Sequence, residues 1–302
     1  MICERLFWVG ITSIYRGHTN CPKSYAECVK EGVGMENDRY AEIDAVIEYI
    51  HRYIDEPLPL SRLASYVAYS PYHFTRIFKE RMGLSPLYYV SSLRLQKAKD
   101  LLLQTNMSVR DIGLEIGQQS LGTFSTRFTE RVGVTPSVFR NSVHGTDAAF
   151  HSLRKIRDWQ MEHPPSPGRA RVVGTIHADL PFEGVILIGL FAKPIPEGLP
   201  LYGTVLSSLG HFSFRGVKPG TYYIMATSIH WEMQAKEILL PHSTLRTRSK
   251  EPIVVTTETI VPHQDVWLFP PRPDDPPILI SLPLLMNQFL TRYANQTLIN
   301  EK

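Results

Sequence analysis

A cationic, hydroxyl-bearing face between residues 70 and 80 is the part of this chain best suited to chemistry. Its residues stand at positions i, i+3, i+4 and i+7 of one segment, the spacing of one side of a helix. Guanidinium, ammonium and hydroxyl groups donate hydrogen bonds to phosphate oxygens and to base edges. We therefore expect this face to contact nucleic acid. Its members are Tyr72, Thr75, Arg76 and Lys79.

The segment that carries this face is present twice. SPYHFTRIFKERMGLSPLYY (residues 70–89) aligns with SLGTFSTRFTERVGVTPSVF (residues 120–139) at a constant offset of fifty residues. Serine, two phenylalanines, glycine and proline recur at matched positions. A duplicated helix–turn–helix is suited to reading two neighbouring stretches of duplex DNA. The outward positions of the second copy carry mainly hydroxyl groups. They are Gly122, Thr123, Ser125 and Thr126, with Arg127 at the edge.

Caps and apolar stripes predict the two recognition helices, residues 71–82 and 121–132. Ser70 is the expected N-cap of the first, Pro71 occupies its first position, and Gly83 ends it in a left-handed conformation. Only the first copy presents an arginine and a lysine together, so we expect it to make most of the base contacts. The expected core stripe of the second copy is Leu121, Phe124, Phe128 and Val132.

At these residues the chain resembles the DNA-binding domain of the AraC/XylS family of bacterial transcription regulators. The most specific stretch is GxxxxGTFSTRFTERVGVTPSVFR, residues 117–140. The resemblance implies that the outward residues of both recognition helices meet DNA, and that a transcription activator is the usual role. Some members of the family carry arginine where this chain has Thr126, which reduces the sequence-reading expected of the second helix.

The charge of the chain is only mildly basic, at +3. We therefore expect affinity for DNA to depend on a dimer or on neighbouring sites. No run approaches the ~18 apolar residues of a membrane helix, and the first residues do not form a convincing signal peptide. The expected location is the bacterial cytoplasm, in association with the nucleoid.

All three cysteines lie before the first predicted helix, at Cys3, Cys21 and Cys28. They lack the spacing of a zinc site, so we expect reduced thiols, no metal and no cofactor, with metal binding as the alternative. Codons for the Lys-Glu-Gly sequence just before Met35 can contain a ribosome-binding sequence. We therefore hypothesise that the natural protein begins at Met35 and that residues 1–34 are translated upstream sequence. Residues 1–38 are the expected N-terminal extension, which is non-native on this hypothesis.

The expected fold class is multidomain α plus β, an all-α double helix–turn–helix domain followed by an all-β immunoglobulin- or transthyretin-like sandwich. After the DNA-binding domain (39–142), the pattern predicts a helix with a Pro-rich linker (143–168). Short runs rich in Val, Ile, Thr and aromatic residues then predict the β-sandwich (169–275). A tail that is partly helical completes the chain (276–302).

The segment GHFSFRGVKPGTYYIMATS, residues 210–228, resembles the carboxypeptidase regulatory-like family of transthyretin-type sandwiches. There a strand turns through a Gly-x-x-Pro-Gly sequence into the next strand. The resemblance implies that Phe212, Phe214 and Tyr222 face the core, and that the module mediates contacts or supports a neighbour without catalysis.

Four aromatic residues of the predicted sandwich form a weak candidate ligand pocket for a ring compound. The alternative is that they are core and rim residues of the sandwich. No nucleophile elbow, phosphate loop or paired-cysteine site is present, so we expect no enzyme activity. The four residues are Tyr222, Tyr223, His230 and Trp231.

Two functions from different classes remain open at this point. The first is a sequence-specific transcription regulator that binds double-stranded promoter DNA in two adjacent major grooves. Its further partners would be RNA polymerase, a second copy through the C-terminal domain, and an effector of unknown identity. The alternative is an interaction or scaffold protein whose β-sandwich binds a partner or small ligand.

Overall fold

The computed structural model divides into an α-helical part followed by a β-rich part. The expectations about the three cysteines, the start at Met35 and the Pro-rich segment 163–168 lie outside the described residues. The structure describes residues 40–118, 120–156, 159, 170–249, 251–256 and 261–300, with side chains to residue 296.

The helical part consists, in the described residues, of eight helices joined by short turns. The longest, α4, connects the two copies of the repeat. The bounds are α1 (Ala41–Arg52), α2 (Leu60–Tyr66), α3 (Pro71–Met82), α4 (Pro86–Gln104), α5 (Val109–Glu115), α6 (Leu121–Val132), α7 (Pro136–Arg140) and α8 (Val143–Arg154).

Both recognition helices begin and end as the sequence predicts. The Ser70 Oγ accepts a hydrogen bond from the backbone N–H of His73 at 3.3 Å, which caps α3. Ser120 caps α6 in the same way at 3.4 Å. Gly83 and Gly133 follow the helices with φ values of 71° and 90°, a conformation that favours glycine. The caps and the left-handed glycines therefore fix the bounds of α3 and α6.

The two copies bury equivalent phenylalanines and expose the first residue of each recognition helix, Pro71 and Leu121. Phe74 and Phe78 of α3, and Phe124 and Phe128 of α6, are fully buried. Leu121, expected in the core stripe, is instead 48% exposed. Helical side chains lean towards the N-terminus, so a residue at the first helical position projects past the end of the helix and away from the core. The prediction for Leu121 was wrong for this reason.

The β-rich part has two sheets in the described residues. The strand bounds are β1 (Ala170–Ala178), β2 (Gly184–Phe191), β3 (Tyr202–Leu206), β4 (Gly210–Val217), β5 (Gly220–His230), β6 (Arg246–Arg248), β7 (Ile253–Val255) and β8 (Gln264–Leu268). One sheet has the order β4-β1-β8, and the other has the order β3-β2-β5-β6 with β7 paired to β5. Strands therefore form in the region where the sequence predicts them.

The two sheets enclose a common apolar core. Phe212 and Phe214 of β4 and Tyr222 of β5 are each at most 5% exposed and belong to it, as expected. Strand β2 is buried along its whole length, because a second apolar cluster covers its other face. That cluster includes residues of α8 and of two further helices, α9 (Ala235–Leu239) and α10 (Leu282–Asn300).

The helical and β-rich parts share a continuous core. Ile195, Leu239 and Leu279, which come after the helical part in sequence, are fully buried against Phe128 and Phe139. The backbone N–H of Ser281 also donates to the carbonyl of Val132 at 2.9 Å, at the end of α6. The second copy of the repeat is therefore completed by residues from the β-rich part.

Among the described residues, no helix is both long enough and apolar enough to span a membrane.

Candidate nucleic-acid interface

The outward face of α3 presents two cations and a tyrosine to solvent. Tyr72 is 82% exposed, and Arg76 and Lys79 are exposed beside it. Thr75 is half-buried, and its Oγ1 donates to the Pro71 carbonyl at 2.8 Å. Arg76 Nη2 lies 3.5 Å from His73 Nδ1, a contact that leaves most of the guanidinium available. Three of the four residues predicted in this helix are thus well placed to reach a ligand.

The corresponding face of α6 is polar but carries fewer charged groups. Gly122, Thr123 and Thr126 are exposed, while Ser125 is half-buried. Arg127 is exposed as well, and its Nη1 donates to Gln118 Oε1 at 3.2 Å. Hydroxyl and methyl groups therefore make up most of what this helix can offer to DNA.

Small residues let each recognition helix cross the helix before it at close range. A Cβ atom placed on Gly113 of α5 would lie 3.3 Å from Cδ1 of Phe124, so α5 and α6 approach closely there. Ala64 of α2 is the equivalent residue of the first copy and is buried. In the turns that follow, Gly117 has φ 78° and Ala68 has φ 55°. A left-handed alanine is strained, which costs on the order of 1 kcal/mol.

Two equivalent arginines, which sequence reasoning did not single out, anchor the recognition helices to the β-rich part. Arg131 Nε lies 2.5 Å from Glu197 Oε2, and these side chains are 10% and 6% exposed. Arg81, fifty residues earlier, lies 3.2 Å from Asp44 Oδ1 and 3.4 Å from Asp274 Oδ2. The constant offset of the repeat was the signal that pairs these two arginines. Their partners come from distant segments, which no local pattern identifies.

The four aromatic candidates of the β-rich part do not share one pocket. Tyr222 is buried between the sheets, and its hydroxyl donates to the Lys218 carbonyl at 2.8 Å. The ring centroids of Trp231 and Phe150 are 5.3 Å apart, and both residues belong to the apolar cluster on the other side of the five-stranded sheet. Successive strand residues face opposite sides of a sheet, which separates Tyr222 from Tyr223. This separation corrects the expectation of a single aromatic pocket.

His230, the fourth of these candidates, lies at the end of β5 and is half-buried. Its ring is 5.0 Å from that of Phe182, and burial lowers its pKa from the ordinary value. Within the described part of the chain, no group of three His, Cys, Asp or Glu side chains is arranged to hold a metal ion.

Comparison with known proteins identifies the duplicated segment. A family model described as a helix-turn-helix domain matches residues 63–142. The HTH-type transcriptional regulator YobQ of Bacillus subtilis is 34% identical over 100 residues, which is 33% of this chain and 42% of YobQ. The bifunctional transcriptional activator/DNA repair enzyme AdaA of the same organism is 37% identical over 98 residues, 32% of this chain and 46% of AdaA. The chain thus spans less than half the length of these relatives.

Among solved structures, a transcriptional regulator of Chromobacterium violaceum with an AraC-type DNA-binding domain is 32% identical. The match covers 34% of this chain and 91% of that one, with a TM-score of 0.33. The DNA-binding domain of AdpA, solved in complex with a target DNA, is 23% identical over 37% of this chain and 96% of that one, with a TM-score of 0.32.

The capped helices and their exposed polar faces define a DNA-binding domain of the helix-turn-helix class. Residues 63–142 form such a domain, in agreement with the family model that matches them. The relatives that share it are named as transcription regulators.

Proposed function

We propose that this protein is a sequence-specific transcription regulator of the AraC/XylS type. Helices α3 and α6 would enter successive major grooves on one side of the duplex, ~34 Å apart. The observation that carries this proposal is the pair of exposed polar faces on two equivalent helices that α4 connects. Because α4 is a continuous helix of 19 residues, it would keep the spacing of the two readers constant.

In this proposal the two helices read DNA by different chemistry. Arg76 would bind a guanine O6 and N7 in bidentate fashion, and Lys79 would neutralise a phosphate. Gly122 leaves open space at the start of α6, since a Cβ built there would come no closer than 3.9 Å to Ser120 Oγ. The DNA backbone could therefore approach the N-terminus of α6, while Thr123 and Thr126 offer hydroxyl and methyl groups to the bases.

We further propose that the β-rich part is a transthyretin-type sandwich with a supporting role. The shared core between its sheets supports this, as do the contacts it makes with the ends of α3 and α6. Residues 39–142, 143–168, 169–275 and 276–302 remain the proposed divisions of the chain. The protein would act without catalysis, as an activator associated with the bacterial nucleoid. RNA polymerase and a second copy of the chain are its proposed protein partners.

Selection of preferred sites from a random duplex library tests this function. The experiment uses the whole chain, because Ile195, Leu239 and Leu279 complete the core of the second copy. We expect a motif with two blocks one helical turn apart. The Arg76→Ala variant should lose preference in one block, whereas Lys236→Ala, an exposed cation of α9, should select the same motif as the native chain. If no sequence is enriched, the interaction-protein function replaces this proposal.

A further inference from the structure

A cavity of about 260 Å³ lies between the five-stranded sheet and helix α10. Its floor is the face of the sheet that points away from the common core of the two sheets. Gly189 of β2 pairs directly with Gly203 of β3 on this floor. Pro200 lies over both, since a Cβ atom on either glycine would come within 2.7 to 2.9 Å of its ring. The absence of side chains at these two positions lets Pro200 pack directly on the sheet and form one side of the cavity.

The walls of the cavity combine apolar side chains with an excess of positive charge. Leu187 and Met225 of the sheet and Leu285 of α10 supply apolar surface. Among the described residues that line it, four are arginines and one is an acid, Asp275. A concave site with apolar walls and a few converging polar groups is the usual form of a small-molecule site. The sign of the charge favours an anion.

Arg248 is the cation inside the cavity whose hydrogen-bonding capacity is incompletely used. It is half-buried, and its Nη1 atom is inaccessible to solvent and has no hydrogen-bond partner among the described residues. Burial lowers the pKa of Arg248, although the carboxylates of Asp275 and Asp274 oppose this effect. A buried donor without a partner costs about 1–3 kcal/mol, and more when it is charged. An anion in the cavity would offset the positive charge of Arg248 by binding the other nitrogen atoms of its guanidinium, since Nη1 is closed to solvent.

Arg246 and Arg292 differ from Arg248 in how they are bonded. Arg246 Nη2 donates to the His242 carbonyl at 3.1 Å and also to the Pro241 carbonyl, so its hydrogen bonds are made within the chain. Burial lowers the pKa of Arg246 to about 10, and this arginine contributes positive potential more than direct contacts. Arg292 of α10 is exposed at the mouth, where its Nη2 donates to the Gly203 carbonyl at 2.9 Å.

We propose that this cavity binds a small organic carboxylate with an apolar body. The carboxylate would pair with Arg248, whose planar guanidinium can donate two parallel hydrogen bonds to the two carboxylate oxygens. The apolar body would lie against Leu187, Met225 and Leu285, and Arg292 would contact the ligand from the mouth. A carboxylate without an apolar body would leave these walls uncovered, and an uncharged ligand would leave Arg248 without a partner.

Calorimetric titration of the full chain tests this site with four probes: hexanoate, benzoate, hexanamide and inorganic phosphate. We expect hexanoate or benzoate to bind saturably and to raise the midpoint of thermal unfolding, because a ligand of the folded state stabilises it. Hexanamide has the length of hexanoate without its charge and should bind at least ~10-fold more weakly. Phosphate has the charge without the apolar body and should also bind at least ~10-fold more weakly.

Variants assign the binding to this cavity. Arg248→Met should weaken carboxylate binding at least ~10-fold, and Arg292→Met should weaken it ~3-fold. Arg171→Met removes an equally charged, exposed side chain from the other sheet and should leave the affinity within ~2-fold. Leu285→Trp fills the cavity from α10 without removing a charge. It should abolish binding, and it provides the test if Arg248→Met does not fold.

Three results would each overturn the proposal. One is the failure of both carboxylates to bind. Another is equal affinity for hexanoate and either hexanamide or phosphate. The third is unchanged carboxylate binding by a folded Arg248→Met variant or by Leu285→Trp. Each of these measurements is made without DNA, so its outcome is independent of whether the chain regulates transcription.

Discussion

The two recognition helices share a scaffold but differ both in the face they present and in how they are anchored. Helix α3 presents Arg76 and Lys79, whereas α6 presents threonines. At its C-terminal end α3 is held by Arg81, whose ion pairs are partly exposed, and α6 is held by Arg131 in a buried pair. Duplication has therefore preserved what folds each copy, namely the cap, the two phenylalanines and the glycine. The exposed polar residues, and the contacts that fix each helix to the rest of the chain, differ between the two copies.

The difference in anchoring follows from where the β-rich part lies. The end of α6 is covered by the segments around Glu197 and Ser281, and a Cβ atom on Gly133 would lie 2.7 Å from Leu284 Cδ2. At the end of α3, a Cβ atom on Gly83 would meet only the ring of Pro194, at 3.0 Å. The C-terminal end of α6 is therefore closely packed against the β-rich part, whereas the end of α3 makes fewer contacts with it.

The largest effect that this comparison predicts is on stability. Arg131→Met should reduce the free energy of unfolding by about 3 kcal/mol, because the buried Glu197 carboxylate loses its buried cation. Among the described residues, that carboxylate keeps only Tyr88 and the exposed Lys193 as partners. Arg81→Met, the equivalent change in the first copy, should cost less than ~1 kcal/mol, because its pairs are partly exposed. Urea unfolding of the two variants measures both values.

A second variant separates the ion pair from packing around Arg131. Adding Glu197→Gln to Arg131→Met removes the buried carboxylate that has lost its buried partner and should restore part of the lost stability. The asymmetry between the copies would be refuted by equal losses of stability in the Arg81 and Arg131 variants.

The next effect concerns DNA binding and again compares the copies. Arg76→Ala should weaken binding to the selected site by ~1–3 kcal/mol and relax base preference in one block, because it removes a bidentate base contact. Thr126→Ala, at a position equivalent to Arg76, should cost less, because a hydroxyl and a methyl group make weaker contacts. Gel-shift titrations on the native site and on sites mutated in either block measure both changes.

Lys79→Ala is the control for charge in the same helix. It should weaken binding to all sequences alike and reduce the salt dependence of binding by about one phosphate contact. Normal binding by both the Arg76 and Lys79 variants would show that α3 presents another face to DNA.

A further prediction concerns Lys99 of α4, the helix that the two copies share. Lys99 is fully buried, its Nζ donates to the Ile278 carbonyl at 2.8 Å, and burial lowers its pKa to about 7. Asp100 opposes this shift and Arg246 adds to it. Because the unfolded chain holds the Lys99 proton up to a pH of about 10.4, it binds more protons than the folded chain between pH 7 and that value.

Stability attributable to Lys99 therefore rises as the pH increases above 7. Relative to Lys99→Met, the native chain should gain roughly 2 kcal/mol of unfolding free energy between pH 7 and 9, with no further change above about pH 10.4. Urea unfolding of both proteins at several pH values provides the measurement. A parallel pH dependence in the two proteins would mean that Lys99 stays protonated in the folded state.

The smallest expected effect is at Leu121, the exposed first residue of α6, which is equivalent to the exposed Pro71 of α3. Leu121→Ala should change the free energy of unfolding by less than ~0.5 kcal/mol, since the side chain is already half exposed. Phe124→Ala, three residues later, should cost about 3–5 kcal/mol because it opens a cavity in the core. Thermal unfolding distinguishes these values. A large loss of unfolding free energy in the Leu121→Ala variant would show that Leu121 belongs to the core.

The parts of the fold that the sequence predicted well are those that depend on neighbouring residues. The bounds of α3 and α6 follow from Ser70, Ser120 and the glycines after them, because capping and left-handed turns act within a few residues. The strands follow from β-branched and aromatic runs broken by Gly and Pro. The exposed faces of both recognition helices follow from helical spacing, and the structure leaves most of these residues accessible.

The parts that the sequence did not predict depend on which distant segments meet. Helical periodicity assigned Leu121 to the core without accounting for its place at the end of the helix. Proximity in sequence grouped Tyr222 with Trp231, although they lie in different apolar clusters. Nothing in the repeat distinguished Arg81 from Arg131, because the burial of an ion pair depends on segments that are 37 or more residues away in sequence.

The sequence alone therefore determined the two helix–turn–helix copies, their helix caps, their polar faces and the strands that follow. These features depend on short-range backbone geometry and on the period of apolar residues, and both can be read from the amino-acid sequence. The tertiary structure decided which reader is fixed into the body of the protein, and it placed Arg248 in a cavity beside apolar walls. Desolvation and charge pairing depend on the atoms that surround a group, and only the folded chain brings those atoms together.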